Sequence, residues 1–182
     1  MFKIIALVVA AVIALVLVVA AVRPDTFRVE RSLVIQAPPQ RIYDQIHDFH
    51  RWQAWSPYEK LDPAMKREIA GAPNGVGAVY AWDGNRNAGA GRMEIVEAVP
   101  ASRVRIRLDF VRPMENTSTA ELDIVPEGNA SRVTWAMHGP APYVTRLFGL
   151  VFDMDKMIGK DLEEGLRNLE RIAETADTPA HG

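Results

Sequence analysis

An uninterrupted run of apolar residues opens the chain and limits how it can fold. It comprises nineteen residues, Ile4 to Val22, with Lys3 before it and Arg23 after it. A helix rises about 1.5 Å per residue, so this run reaches about 28 Å, close to the roughly 30 Å hydrocarbon core of a bilayer. The core of a soluble domain does not need so many consecutive apolar positions. We therefore predict an N-terminal membrane anchor at residues 1–24, with residues 4–22 in the bilayer.

A cleaved signal peptide is the alternative interpretation of the same run. Ala20 and Ala21 could supply the small residue at a cleavage site. Against this, the run is longer than the apolar segment of about 7–15 residues that is usual in signal peptides, and Lys3 is the only charged side chain before it. An uncleaved single-pass anchor is therefore favoured. The positive-inside rule barely decides the orientation of the anchor, because the positive charges of Lys3 and the amino terminus before the run are balanced by arginines after it. The periplasmic side is slightly favoured for the soluble domain.

The composition of the remaining chain indicates one ordinary folded domain. About 160 residues follow the apolar run, enough to bury a core. Hydrophobic residues make up 48% of the chain and charged residues 24%, which argues against a disordered protein and against several membrane spans. A net charge of −2 argues against a nucleic-acid binder, which usually carries a basic surface. Cysteine is absent, which excludes disulfides, thiolate nucleophiles and zinc–cysteine sites.

The clearest periodic pattern in the domain lies at residues 103–110. Val104, Ile106, Leu108 and Phe110 alternate there with Arg103, Arg105, Arg107 and Asp109. Alternation with a period of two is typical of a strand that has one face in the core and one in water. We therefore predict that this strand belongs to an antiparallel sheet with a single buried face.

The other segments complete an α+β domain. Further strands are predicted at residues 27–35, 65–70, 76–83, 92–99, 117–125 and 131–138, with helices at about 39–49, 50–55 and 143–175. Only the long C-terminal helix is large enough to cover the apolar face of the sheet, and a sheet curved around a helix encloses volume. The domain is predicted to span residues 27–176, followed by a disordered tail at 177–182.

Five short stretches resemble one superfamily. They are Arg31-Ser32, Ala37-Pro38-Pro39, Trp52 to Tyr58, Gly75 to Trp82 and Asp153 to Lys160. In these residues the chain resembles the SRPBCC superfamily, the START-like or helix-grip proteins that include the polyketide cyclase/dehydrase and lipid transport family, and it is most similar to membrane-anchored bacterial members. The resemblance implies a curved antiparallel sheet wrapped around a long C-terminal helix. It does not select a function, because the superfamily contains lipid carriers, cyclases, hydroxylase domains and chaperone activators.

A set of aromatic and methionine residues is the best candidate for a ligand site. Pockets for small apolar molecules are lined by such side chains, with methionine filling irregular gaps. The alternative is that these residues only fill the core, but the resemblance implies a cavity between sheet and helix. The predicted lining residues are Trp52, Trp55, Tyr58, Tyr80, Trp82, Phe110, Trp135, Met137, Met154 and Met157.

No constellation of residues indicates catalysis, a metal or a cofactor. His47 and His50 lie three residues apart near Asp44, but no fourth ligand converges on them, so no metal site is predicted. No nucleotide-binding pattern is present either, and no cofactor is predicted. The catalytic residues, if any exist, are unknown.

Three functions follow as hypotheses. The leading one is a membrane-anchored module that binds or transfers a lipid or another apolar small molecule. The second is an enzyme of the cyclase or dehydratase type, which would need a general acid or base inside the pocket. Its nearest candidates are Glu94, Glu97, Asp109 and His138. The third is a protein-interaction module similar to the chaperone activators, although the sequence names no protein partner.

Overall fold

The computed structural model describes residues 1–175 of the chain. In chain order the helices are α1 (Phe2–Val22), α2 (Pro39–Ile46), α3 (Tyr143–Phe148) and α4 (Met154–Thr175). The strands are β1 (Thr26–Ile35), β2 (Lys66–Gly71), β3 (Ala78–Asp83), β4 (Ala90–Val99), β5 (Arg103–Arg112), β6 (Asn116–Glu127) and β7 (Ala130–Pro140). Two short 3₁₀ helices, Phe49–Ala54 and Pro57–Lys60, lie between α2 and β2. The predicted disordered tail at 177–182 lies outside the described residues.

Helix α1 is long and apolar enough to cross a membrane by its length and composition. Its side chains project away from the domain, and Ala20 is the one residue of this helix that is buried. The run is apolar on every face, so it lacks the polar side that a surface helix of a soluble domain turns to water. This agrees with the span predicted from the sequence, although a signal sequence would have the same appearance.

The seven strands form one antiparallel sheet in the order β1-β7-β6-β5-β4-β3-β2. The first strand therefore pairs with the last, and the others follow as consecutive hairpins. Irregular pairing between β4 and β5 at Ala90/Gly91 and at Ile95/Glu97 adds local bends, which increase the curvature of the sheet. The fold is the predicted helix-grip α+β fold, with the concave face of the sheet turned toward α4.

The alternation predicted for residues 103–110 is present in β5. Val104 and Ile106 are fully buried, whereas Arg105 and Arg107 lie on the outer face. There the arginines pair with carboxylates of the neighbouring strands, as in the ion pair between Arg105 Nε and Glu121 Oε2 at 2.9 Å. The outer face therefore carries arginines that are paired with carboxylates. This arrangement is typical of a solvated surface and not of a nucleic-acid site, which would present unpaired basic side chains.

The predicted C-terminal helix is interrupted, which corrects the single helix expected over residues 143–175. Helix α3 ends at Phe148, and α4 begins at Met154. The Asp153 side chain accepts a hydrogen bond from the Lys156 backbone N–H at 3.1 Å and so caps α4. An aspartate at this position satisfies a free N–H of the first turn and favours a new helix start. Helical spacing of apolar residues continued through the break and concealed it.

The interior divides into two halves along the strands. We call the end of the sheet where β1 begins and β7 ends the α1 end, and the opposite end the far end. At the far end, side chains of the sheet, of α2 and of the second half of α4 pack together in the hydrophobic core. The fully buried residues there include Ile35, Ile42, Ile46, Ile95, Val104, Ile106, Leu122, Val133, Leu166 and Leu169. At the α1 end the sheet and α4 are separated by a cavity.

Candidate ligand-binding cavity

The cavity lies between the concave face of the sheet, the first half of α4 and the loop that contains Trp52 and Tyr58. Its volume is about 330 Å³, within the range of small-molecule sites. The sheet residues that line it, such as Phe27 near the start of β1 and Met137 near the end of β7, belong to the α1 end. Most of the lining is apolar, so water inside it would find few hydrogen-bond partners.

Glycines allow two tryptophans to form the walls. The ring of Trp82 lies against Gly91, where an added Cβ would come within 2.5 Å of the Trp82 ring. Its indole N–H donates to the Ala88 carbonyl at 3.0 Å and fixes the ring at the edge of the cavity. On the opposite side, a Cβ at Gly165 would come within 2.4 Å of the Trp135 ring. These two close approaches hold the aromatic rings flat against the backbone and leave space between them.

Most of the predicted site residues meet around this space. Those that line the cavity are Trp52, Tyr58, Tyr80, Trp82, Phe110, Trp135, Met137 and Met154. Contact with the cavity does not test whether they bind a ligand, and that role stays a prediction.

Two predicted residues lie elsewhere. Trp55 is buried behind the wall, where it packs on Trp135 with ring centroids 5.5 Å apart and donates to the Gln45 carbonyl at 3.1 Å. Met157 is 60% exposed on α4, because the helix turns Ile158, one residue later, toward the cavity. Apolar spacing alone did not distinguish between these two neighbours.

Several lining residues were not singled out from the sequence. The apolar ones include Phe27, Leu61, Met65, Met93, Leu108 and Ile158, and the polar ones include Glu59, Asn116, Ser118 and Asp161. The inward positions of the alternating strands already contained Phe27, Met93 and Leu108. No sequence signal placed Glu59 or Asp161 at the cavity, because each lies among other charged residues on its segment.

Glu59 is held at the cavity wall by two donors. The Tyr80 hydroxyl donates to Glu59 Oε1 at 2.5 Å, and Arg67 Nε donates to Oε2 at 2.6 Å. Burial raises the pKa of Tyr80, and its bond to the Glu59 carboxylate adds to this effect. The phenol therefore stays protonated and donating at neutral pH. Both carboxylate oxygens of Glu59 are therefore occupied by donors of the protein, which leaves Glu59 little capacity to accept a hydrogen bond from a ligand.

Asp161 is the carboxyl group at the cavity that lacks such partners. Within residues 1–175 its side chain makes no hydrogen bond or ion pair. Burial raises the pKa of Asp161, and the negative charge of Glu164 raises it further. The neighbouring Tyr58 hydroxyl is also buried, and burial is the main cause of its raised pKa. Asp161 is thus the group best placed to take a hydrogen-bond donor of a ligand.

Asp161→Asn is expected to stabilise the protein at neutral pH. Since the folded-state pKa of Asp161 is raised, the folded protein binds more protons than the unfolded chain between the ordinary value of about 4 and the raised value. The free energy of unfolding therefore decreases as the pH rises through this window. The asparagine variant cannot ionise at this position, so its free energy of unfolding should decrease less. Urea denaturation at pH 4 and pH 7 measures it. Glu163→Gln on the same helix is the control: it removes a carboxylate paired with Arg31 Nε at 2.9 Å and should not stabilise.

The carboxylates considered as general acids or bases lie outside the cavity. Arg107 Nη2 is 3.2 Å from Glu94 Oε2, and Arg107 Nε is 3.0 Å from Asp109 Oδ2, both on the outer face of the sheet. Glu97 pairs with Arg105 on the same face. His138 is not among the residues that line the cavity. The geometry therefore does not support these four residues as acid–base groups for a bound ligand.

Comparison with known proteins identifies the same fold. A family model described as polyketide cyclase/dehydrase and lipid transport matches residues 26–174. Among curated proteins, none matches the chain.

Solved structures give the same result. The di-domain ARO/CYC StfQ from the steffimycin biosynthetic pathway superposes with a TM-score of 0.62 at 12% identity, over 83% of this chain and 51% of that protein, so the chain spans about half of it. A Chromobacterium violaceum protein gives 0.57 at 16% identity over 84% of this chain and 99% of its own. A Thermus thermophilus protein gives 0.56 at 19% identity over 84% and 100%. At such identities these likenesses show the fold alone.

Proposed function

Because the chain belongs to the polyketide cyclase/dehydrase and lipid transport family of the SRPBCC superfamily, we propose that it binds or transfers a lipid or another apolar small molecule in its cavity and is anchored to a membrane by α1. The observation that carries the proposal is the cavity of about 330 Å³ at the α1 end of the sheet. An apolar ligand gains free energy roughly in proportion to the apolar surface it removes from water, and this wall is largely apolar.

The division of the core supports a cavity that is built into the fold. The far end contains the same kinds of side chains, and they are fully buried against one another there. At the α1 end, Tyr80 and Trp82 are instead held back from the centre by their hydrogen bonds to Glu59 and Ala88. Rings fixed in this way do not collapse into the space. A preformed site of this kind lowers the ordering cost of binding.

The polar groups at the wall suggest an amphiphilic ligand. Most of the lining is apolar, and Asp161 adds one carboxyl group without a partner among the described residues. A lipid or fatty alcohol would place its chain against the aromatic rings and a hydroxyl or amide donor against Asp161. A few convergent polar groups in an apolar pocket usually orient the ligand.

Ala120→Phe is expected to abolish binding without unfolding the protein. Ala120 is buried, lies on β6 and lines the cavity, so the added ring would occupy the ligand space. Thr119→Phe is the matched control, since Thr119 is the preceding residue of the same strand and faces the outer side of the sheet. Native mass spectrometry of the detergent-extracted full-length protein measures bound molecules, and titration with a dansyl-labelled fatty acid measures affinity.

The parent and Thr119→Phe should carry bound lipid and bind the probe, and Ala120→Phe should do neither. A parent protein without bound molecules or probe affinity would overturn the proposal. Equal binding by Ala120→Phe and the parent would instead place the ligand outside this cavity.

A cyclase or dehydratase of the same family is the second candidate, and Asp161 favours it. A carboxyl group with a raised pKa at a largely apolar cavity has the environment of a general acid. If the protein converts its ligand, Asp161→Asn should retain the ligand unchanged, whereas the parent should release a product of different mass. A carrier returns the same molecule from both proteins.

A further inference from the structure

The segment that connects the sheet to α4, residues 143–152, exposes its apolar side chains. Arg146 is the only charged residue in this segment. Four of the large side chains are roughly half exposed or more: Val144 49%, Phe148 55%, Val151 79% and Phe152 53%. Outside α1, the exposed phenylalanines of the described chain lie in this segment. Such a surface is costly in water and normally marks a contact.

Hydrogen bonds fasten this segment to the end of α1. The Tyr143 hydroxyl donates to the Leu17 carbonyl at 2.9 Å. Arg146 Nη1 donates to the carbonyls of Ala21 and Arg23, both at 3.1 Å. Arg23 Nη1 donates in return to the Gly149 carbonyl at 2.6 Å. The segment is therefore held against α1 on both sides of the point where that helix ends.

The contact with Leu17 sets the depth of the segment. Leu17 lies five residues before Val22, the last residue of α1, so its carbonyl is about 7–8 Å inside the helix end. If α1 spans a bilayer, Tyr143 lies at the level of the headgroups or just below it. Tyrosine and arginine favour this interfacial zone, because each has an apolar body and a polar tip. Phenylalanine is common on the lipid-facing side of helices that lie in the interface.

The cavity lies at the same end of the domain. Thr145 of α3 and Met154 at the start of α4 belong to its lining, and both are only partly buried. Phe27, the second residue of β1, lines the cavity from the side of the sheet. The turn between β5 and β6 adds exposed Met114 at this end. The lining of the cavity and the exposed apolar segment 143–152 therefore lie next to each other beside α1.

We propose that residues 143–152 lie in the membrane–water interface as a second membrane contact, and that this contact sets the mouth of the cavity against the bilayer, from which the ligand enters. The proposal rests on the anchor and the ligand cavity of the proposed function. It follows because a bilayer that holds α1 up to Val22 must also reach a segment bonded to Leu17. A protein partner on the same surface would have to displace lipid that the anchor already brings there.

Spin labels on the full-length protein test the depth of this segment. The chain has no cysteine, so single cysteines introduced by Phe148→Cys and Val151→Cys can each carry a nitroxide without further changes. Leu15→Cys, within α1, is the reference for the bilayer. Val125→Cys, 54% exposed at the far end, is the reference for water. The protein is reconstituted in vesicles of equimolar phosphatidylcholine and phosphatidylglycerol, and collision rates with oxygen and with a water-soluble nickel chelate are compared.

We expect the labels at 148 and 151 to give an oxygen-to-nickel collision ratio well above that of the label at 125 and below that of the label at 15, as a position in the interface requires. Labels at 148 and 151 that resemble 125 would overturn the second contact while leaving the anchor intact. A label at 15 that resembles 125 would overturn the anchor and this inference with it. Protection of 148 and 151 from both reagents would show a protein contact and also overturn the inference.

A kinetic measurement tests entry from the bilayer. Phe148→Ser combined with Val151→Ser removes two exposed side chains and leaves the lining of the cavity unchanged. Transfer of the dansyl-labelled fatty acid from vesicles to the protein should slow by at least about tenfold, because the apolar contact with lipid is lost. The equilibrium affinity should stay the same. Val76→Ser, 58% exposed at the far end, is the control. An unchanged transfer rate in the double variant would contradict entry at this segment.

Discussion

Ile106→Asp is expected to abolish cooperative folding of the domain, whereas Arg107→Ala should leave it almost unchanged. Ile106 is 0% exposed, in the middle of β5 between Ile95 of β4 and Ala120 of β6. The substitution removes a buried side chain, which costs about 2–5 kcal/mol, and adds an unpaired buried charge, which costs several kcal/mol more. The sum is comparable with the entire stability of an ordinary domain, about 5–15 kcal/mol.

Arg107 tests the opposite face of the same strand. Its side chain is 47% exposed and pairs with Glu94 and Asp109, and exposed ion pairs contribute about 0–1 kcal/mol each. Thermal melts of the full-length variants in detergent, followed by circular dichroism, measure both effects. Ile106→Val is a further control for the site and should cost about 1 kcal/mol. Similar melting of Ile106→Asp and Arg107→Ala would show that the register of β5 is wrong.

Leu166→Ala should destabilise the protein far more than Met154→Ala, although both residues lie on α4. Leu166 is 1% exposed and belongs to the packed far end, so its truncation should cost about 2–5 kcal/mol and lower Tm by roughly 5–15 °C. Met154 is partly exposed and faces the cavity. Its truncation removes fewer contacts and enlarges a space that exists already, so the cost should stay below about 1.5 kcal/mol.

Ligand binding should show the reverse order. Met154→Ala changes the wall of the cavity and should alter the affinity for the dansyl-labelled fatty acid. Leu166→Ala lies outside the lining and should leave the affinity of the folded protein unchanged. Melts beside probe titrations of both variants supply the two measurements. A loss of stability for Met154→Ala as large as that for Leu166→Ala would indicate that the α1 end is a close-packed core.

The predicted strands were recovered because they depend on local periodicity. Residues 103–110 alternate strictly, and a strand with one buried face has that period whatever packs on it. The nineteen apolar residues at 4–22 likewise predict a long helix from composition alone. The interruption between α3 and α4 was missed because Asp153, the residue that caps α4, looks in the sequence like one more charge on a helix.

Periodicity also explains why some of the predicted residues lie at the cavity. Trp82 and Phe110 stand at inward positions of strands, so their direction followed from the alternation. Met157 and Ile158 differ by about 100° around the helix axis, and the placement of α4 on the sheet decided which of them faces inward. Asp161 was not predicted, because nothing in its neighbours along the chain shows that the cavity lies beside it.

The sequence by itself determined the apolar span, the α+β order of elements and the buried face of each strand, since all three depend on residues close together in the chain. Only the tertiary structure decided that the α1 end stays open while the far end is filled. That difference depends on contacts between distant segments: the approach of Trp135 to Gly165, the bond from Tyr80 to Glu59 and the bond from Tyr143 to Leu17. Such contacts exist only after the curved sheet, α4 and α1 have come together, because local periodicity specifies which face a residue occupies and not what stands opposite it.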